Sequence, residues 1–210
     1  NKPKINFFKK LNYIKHDLNI NLKKKLIKIN PDIIIHLAAL TSVTESEKFK
    51  KKYYKNNFVV TKNICSYCKQ FNKKLIFASS AGVYKSKNVS IKEDDIKKPK
   101  NYYGKTKLLS EKIITNQLNS KSSYIILRFF NIGGGDKKNK LIFSKNNYPV
   151  FKMITNIIKN KSKFFIFGKN KKNDKTAIRD YIHVFDVITI IKYSLNNLIK
   201  EKKNLILNCC

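Results

Sequence analysis

Three short runs dominated by β-branched and aromatic residues recur along the chain: Asp32 to Leu37 (DIIIHL), Leu75 to Ser79 (LIFAS) and Tyr124 to Phe129 (YIILRF). None alternates apolar with polar, which marks strands covered on both faces. Between them lie helix-patterned stretches, Glu45 to Phe71 with a break near Lys52 and Tyr103 to Leu118 with apolar residues at 108, 109, 113 and 114. Parallel strands need such crossovers, whereas antiparallel ones are joined by tight turns. The βαβαβ order therefore predicts an α/β fold, a doubly wound parallel sheet with helices on its faces. Upstream, Tyr13 to His16 reads as a short strand ending at Asp17-Leu18, and Leu22 to Ile29 as a helix closed by Asn30-Pro31. After Asn131 the character changes. Gly133-Gly134-Gly135 opens a polar loop to about Asn147, then come a helix at 150–159, a strand at 164–167, a short element at 180–184, a helix at 187–198 and a last strand at 205–208.

Charge invites a different reading. The chain of 210 residues has a formal net charge of +33. Only Arg128 and Arg179 are arginines, so nearly all the cations are lysines, scattered over every segment. Lys, Asn and Ile make up close to half the chain, and all three are spelled by A and T codons alone. Base readers favour Arg for its bidentate fork and gather cations in one stripe. The charge thus reads as a solvated Lys-rich surface, with salt-sensitive attraction to polyanions but no specific nucleic-acid partner. No stretch reaches the ~18 apolar residues of a membrane helix. The start NKPKINFFKK has no signal-peptide core. Cys65 and Cys68 form one CxxC inside a helical pattern, with no second pair and no nearby His, so two helix-borne thiols are expected and no metal site. These features predict a reduced, cytoplasmic protein.

The chemistry concentrates in Tyr103-Gly104-Lys105-Thr106-Lys107 and in Ser79-Ser80, some twenty residues upstream. Tyr103 and Lys107 stand four apart and share a helix face. An ammonium beside a phenol favours the phenolate, a general base for a sugar or alcohol hydroxyl. Ser80 follows a buried strand, and parallel sheets bind ligands at their C-terminal strand ends. Alone, the Tyr/Lys spacing is no more than a surface pair on a Lys-rich helix. Conjunction with the strand-terminal serine makes it a candidate catalytic set of Ser80, Tyr103 and Lys107. Arg179 also stands out, because an Arg retained among so many lysines suits a planar, bidentate anion. Arg128 is read as serving the sheet, and His36 as a core histidine without a role.

Taken in order, these segments resemble the extended short-chain dehydrogenase/reductase family, and within it the NAD-dependent epimerase/dehydratases. Asp17-Leu18 resembles the adenine-contacting pair, and His36-Leu37-Ala38-Ala39-Leu40 the HxAA segment beside the cofactor. Tyr53-Tyr54-Lys55-Asn56-Asn57 resembles YYxNN, and Phe77 to Tyr84 the FSSSAxVYG block. Tyr103 and Lys107 fall on the YxxxK pair, Leu127 to Asn131 is similar to LRYFN, and Arg179 to Val184 to RDYIHV. The resemblance implies NAD as cofactor, contacted by Asp17, Leu18, Leu37, Ala38, Ala39, Leu40, Asn57, Ser80, Tyr103, Lys107 and Phe130. It implies a UDP-sugar substrate held by Ser80, Tyr103, Asn131 and Arg179, and inversion at C4 of UDP-glucose or UDP-galactose through a 4-keto intermediate. It further implies a Rossmann-like domain over 1–131, a mixed segment over 132–210 that includes part of a substrate domain, and a homodimer through helices near 45–71 and 103–118.

The pattern also has departures. Its Gly-rich phosphate loop has no counterpart, since the first glycine is Gly82. The chain is thus expected to be an internal portion of a longer protein, or a degraded copy. Thr41 stands where a Lys is common, Lys85 where a Gly is, and Gly133-Gly134-Gly135 replaces an NPxGA-like turn. Two alternatives stay open: a sister nucleotide-sugar epimerase or dehydratase, and a non-catalytic remnant of one.

Overall fold

The structure is a computed structural model that describes residues 12–87, 89–135, 179–201 and 203–210. Helix α1 (Leu22–Ile29) precedes strand β1 (Ile33–His36). Helices α2 (Val43–Lys48) and α3 (Lys50–Tyr53), a π-helical turn (Tyr54–Val59) and α4 (Val60–Phe71) lead to β2 (Lys74–Ser80). A 3-10 turn (Ala81–Val83) follows, then α5 (Tyr102–Gln117) and β3 (Tyr124–Phe129). The last described elements are β4 (Asn131–Gly133), β5 (Tyr181–His183), α6 (Val184–Lys200) and β6 (Leu205–Cys209).

Strands β1, β2, β3 and β6 form one parallel sheet in that order, with Ile34 opposite Leu75, Ile76 opposite Ile125 and Ile126 opposite Ile206. The expected doubly wound parallel α/β architecture is present. One face carries α1, α4 and α5 over a core of Ile64, Leu75, Phe77, Ile114 and Ile126; the other carries α6 over Ile76, Ile125, Leu127 and Leu198. β3, central among these strands, is buried at all six positions, as its unbroken apolar run predicts. β1 departs from that expectation. It is an edge of the described sheet, and Ile35 is 39 % exposed there.

Local chemistry explains the boundaries. Ser42 caps α2 by accepting from the Glu45 N–H at 3.2 Å, and Asn101 caps α5 by accepting from the Gly104 N–H at 2.8 Å. With few glycines, this chain gives its left-handed helix-end positions to asparagine: Asn21, Asn30 and Asn72 have φ of 46°, 47° and 52°. The long helix breaks at Phe49 rather than near Lys52, and it widens into the π turn that carries Asn57. Residues 13–16 form no strand, because nothing among the described residues pairs with them. The loop to 147, the helix at 150–159 and the strand at 164–167 lie outside the described residues.

Candidate active site

Two strand ends and one helix start converge at the C-terminal edge of the sheet. Ser80 closes β2, and its Oγ accepts from the Gly82 N–H at 3.1 Å, which folds the chain back over the strand. Glycine is required on the opposite side. A Cβ on Gly104 would collide with the Gly82 carbonyl oxygen and stand 3.0 Å from Pro99 Cβ. That close approach brings the first turn of α5, with Tyr103, onto the turn after Ser80. Tyr103 is further fixed through its backbone: its N–H donates to Ser46 Oγ at 3.0 Å, and its carbonyl accepts from Thr106 Oγ1 at 2.7 Å.

Lys107 lies one turn below Tyr103 and is 3 % exposed. Its Nζ donates to the Ala78 carbonyl at 2.6 Å, sits 4.8 Å from the Phe77 ring centroid and is 6.0 Å from that of Tyr103. Burial pulls its pKa down to about 8, partly offset by the Glu111 carboxylate. The ammonium thus faces two aromatic rings and a carbonyl, which supply partial compensation and no counter-charge.

Beside it, a neutral network holds the segment after β1. Thr61 Oγ1 donates to the Asn57 carbonyl at 2.6 Å, so its one hydrogen is spent, and His36 Nε2 at 3.0 Å must be the donor to it. Burial, and then the Lys107 charge, lower the His36 pKa to about 3, so the ring is neutral. The Asn57 side chain accepts from the Leu40 N–H at 2.9 Å and donates to the Leu40 carbonyl at 3.0 Å and to Thr106 Oγ1 at 3.1 Å. Its amide therefore fastens the Leu37–Leu40 segment to α5. Leu37 and Ala38 are exposed on that segment, Ala39 and Leu40 half-buried.

Asp17 is held at the same edge. Its Oδ1 accepts from the N–H and side-chain amide of Asn19, which keep its carboxyl below the usual range, and that amide also reaches Asn56 Oδ1 at 3.0 Å. Leu18 packs partly against the core. Asn131 opens β4 opposite Tyr181 of β5, and its N–H and Nδ2 donate to the Asp180 carbonyl at 3.2 and 2.9 Å, one residue after the exposed Arg179. The half-buried Phe130 is tied to the sheet by its N–H on the Cys209 carbonyl.

Residue patterns had not flagged the buried ion pair beneath this site. Glu111 is 3 % exposed and Arg128 2 %. Arg128 donates Nε to Glu111 Oε1 at 3.0 Å and Nη2 to Oε2 at 2.7 Å. Its Nη1 donates to Tyr84 Oη at 2.6 Å and to the Glu93 carbonyl at 2.8 Å. Ser79 Oγ donates to Glu111 Oε1 at 2.5 Å, and Tyr84 Oη donates to Asn208 Oδ1 at 2.7 Å. The available signal was spacing: Tyr103, Thr106–Lys107, Ser110–Glu111 and Ile114 trace one helical face, polar yet turned inward. Cys65 and Cys68 are free and buried, their thiols pushed up by desolvation, and no cluster suited to a metal occurs among the described residues.

The profile of the NAD dependent epimerase/dehydratase family (Epimerase) matches residues 5–210, almost the entire chain. The chain belongs to this family. Among epimerase relatives, UDP-glucose 4-epimerase of Mycoplasma genitalium is 36 % identical over 177 residues, 79 % of this chain and 51 % of that protein. The Lactobacillus helveticus UDP-glucose 4-epimerase is 34 % identical over 185 residues, 84 % of this chain and 56 % of that one. The chain thus spans about half the length of the curated relatives it matches. Among solved epimerase structures, UDP-glucose 4-epimerase from Brucella ovis in complex with NAD superposes with a TM-score of 0.82 at 27 % identity, over 93 % of this chain and 63 % of that one. The UDP-Glc/GlcNAc 4-epimerase from Campylobacter jejuni superposes with a TM-score of 0.77 at 31 % identity, over 93 % and 62 %.

Proposed function

We propose that this protein is an NAD-dependent epimerase that inverts C4 of UDP-glucose and UDP-galactose. The observation that carries the reading is the close approach of Gly104 to Gly82, which sets the start of α5 against the turn after Ser80, with the Lys107 ammonium 6.0 Å from the Tyr103 ring centroid. Relatives named as UDP-glucose 4-epimerases support it.

The residues present suit the cofactor. Lys107 has N–H donors beyond the one given to Ala78, and Leu37–Ala38 leave an open backbone edge that Asn57 holds in place. Asp17, Leu18, Leu37, Ala38, Ala39, Leu40, Asn57, Ser80, Tyr103, Lys107 and Phe130 would hold it, Asn57 through its grip on Leu40. Bound there, NAD supplies a two-electron acceptor and donor for the sugar carbon. Tyr103, as phenolate, takes the proton from the C4 hydroxyl, and Ser80 Oγ bonds the same oxygen to aim it. Lys107 favours that phenolate by its charge. Asn131 and Arg179 bind the nucleotide-sugar portion, Arg179 as a planar donor to the diphosphate. When the sugar has presented its other face, Tyr103 returns the proton, and C4 is inverted with no net redox change. In this reading residues 1–131 belong to the cofactor domain, and 132–210 contain part of the substrate domain. A homodimer through α2–α4 and α5 would cover Phe49, Tyr54 and Leu109, which are exposed there.

The test supplies UDP-galactose and NAD and measures UDP-glucose. Turnover in the wild type and its loss in Tyr103→Phe are expected; full activity in that variant overturns the assignment. The likeness to a UDP-Glc/GlcNAc 4-epimerase favours a second reading, in which N-acetylated sugars are accepted. Preference for UDP-GlcNAc across a sugar-nucleotide panel would select it.

A further inference from the structure

Two buried cations, Lys107 on α5 and Arg128 on β3, lie within reach of the Glu111 carboxylate, and the geometry shows which one holds it. Lys107 and Glu111 are one helical turn apart on the inward face, where an acid and a base pair readily. They do not pair. Lys107 donates to Ala78 and faces Tyr103, and Glu111 turns to Arg128 on β3 and to Ser79. We propose that Arg128 is a positioning residue: by engaging both Glu111 oxygens it keeps that carboxylate off Lys107, and so leaves the ammonium on Ala78 and Tyr103. The inference rests on the catalytic reading of Lys107.

Composition supports this independently. Nearly every cation in the chain is lysine, yet position 128 is arginine. Its four donated bonds, two to Glu111, one to Tyr84 Oη and one to the Glu93 carbonyl, need a planar fork; an ammonium is a point charge and cannot span them. A buried carboxylate deprived of its partner is costly and takes whatever cation is in reach. The cation within reach is Lys107. Other groups around Lys107 do not substitute: His36 on β1 is neutral, β2 presents only the Phe77 ring and the Ala78 carbonyl, and Tyr103 is the intended neighbour.

The experiment compares Arg128→Met with Arg128→Met/Glu111→Gln. The readout is the pH titration of the Lys107 side-chain resonances in isotopically labelled, ligand-free protein, identified by their loss in Lys107→Arg. In Arg128→Met the freed carboxylate pairs with Lys107, and the titration midpoint rises by about 1 or more, a tenfold change in its proton affinity. The double variant has no carboxylate to capture the lysine, so its midpoint returns to within a few tenths of wild type, and turnover returns with it. A folded Arg128→Met with an unmoved midpoint overturns the proposal. Should Arg128→Met not fold, Arg128→Lys takes its place: its ammonium cannot hold both Glu111 oxygens, so the midpoint rises there too, and an unmoved midpoint overturns the proposal. Because the titration needs neither substrate nor cofactor, it reads Lys107 even if the epimerase assignment fails. In that event the midpoints behave as described and UDP-galactose is not turned over by any variant.

Discussion

The shelf around Tyr103 and the corner around Asn131 and Arg179 solve the same problem by opposite means. On the shelf, close backbone packing and buried hydrogen bonds do the placing. Gly82 meets Gly104, Ser46 holds the Tyr103 N–H, Asn57 grips Leu40, and Arg128 holds Glu111. At the corner, the supports among the described residues are a three-residue strand pair and the Asp180 carbonyl that Asn131 engages twice, and Arg179 is exposed. Atoms that take and return a proton must be held to within fractions of an ångström, and buried hydrogen bonds provide that rigidity. In the proposed function Arg179 meets a diphosphate, whose attraction needs less exact placement because it falls off slowly with distance.

If this contrast holds, substitutions on the shelf cost both rate and stability, and substitutions at the corner cost affinity alone. Tyr103→Phe should have the largest effect on rate, a fall in kcat of roughly 10²- to 10⁴-fold. Glu111→Ala leaves Arg128 as an uncompensated buried charge, and chemical denaturation should show a loss of about 3–5 kcal/mol. Gly104→Ala should cost about 1–3 kcal/mol, because the added methyl meets the Gly82 backbone, and kcat should fall with it. Arg179→Ala should raise KM for UDP-galactose roughly tenfold and leave stability within about 0.5 kcal/mol; an equal loss of stability would erase the distinction between the two regions.

The remaining effect concerns pH. His36 has a folded pKa of about 3, below the ordinary 6.5, so the folded state binds fewer protons than the unfolded one in that window. Its contribution is complete above pH 6.5 and is lost as the pH falls towards 3. In His36→Gln, where an amide N–H still reaches Thr61, the slope of stability against pH should flatten between those values. An unchanged slope would place the acid sensitivity elsewhere.

Much of this was legible because it is local. The βαβαβ order follows from apolar runs, and the Ser80, Tyr103 and Lys107 set from strand ending and helical spacing. Glu111 and Arg128 were not legible in this way. In a sequence this rich in lysine, a charged residue on a helix is expected to face solvent, and the one local signal near position 111, its place on the helical face of Tyr103, Lys107 and Ile114, does not by itself show that this face turns inward. The π turn escaped for a related reason: it serves the Asn57 bonds to Leu40 and Thr106, 17 and 49 residues away.

The amino-acid order alone determined most of the strands and helices and the parallel topology, and it nominated Ser80, Tyr103 and Lys107 as the candidates for handling a proton, because periodicity and spacing act within a few residues. Only the folded arrangement decided which charges are buried and with whom they pair. Burial belongs to surfaces that distant segments make together, and in a low-dielectric interior the choice between Arg128 and Lys107 as partner of Glu111 is set by three-dimensional reach.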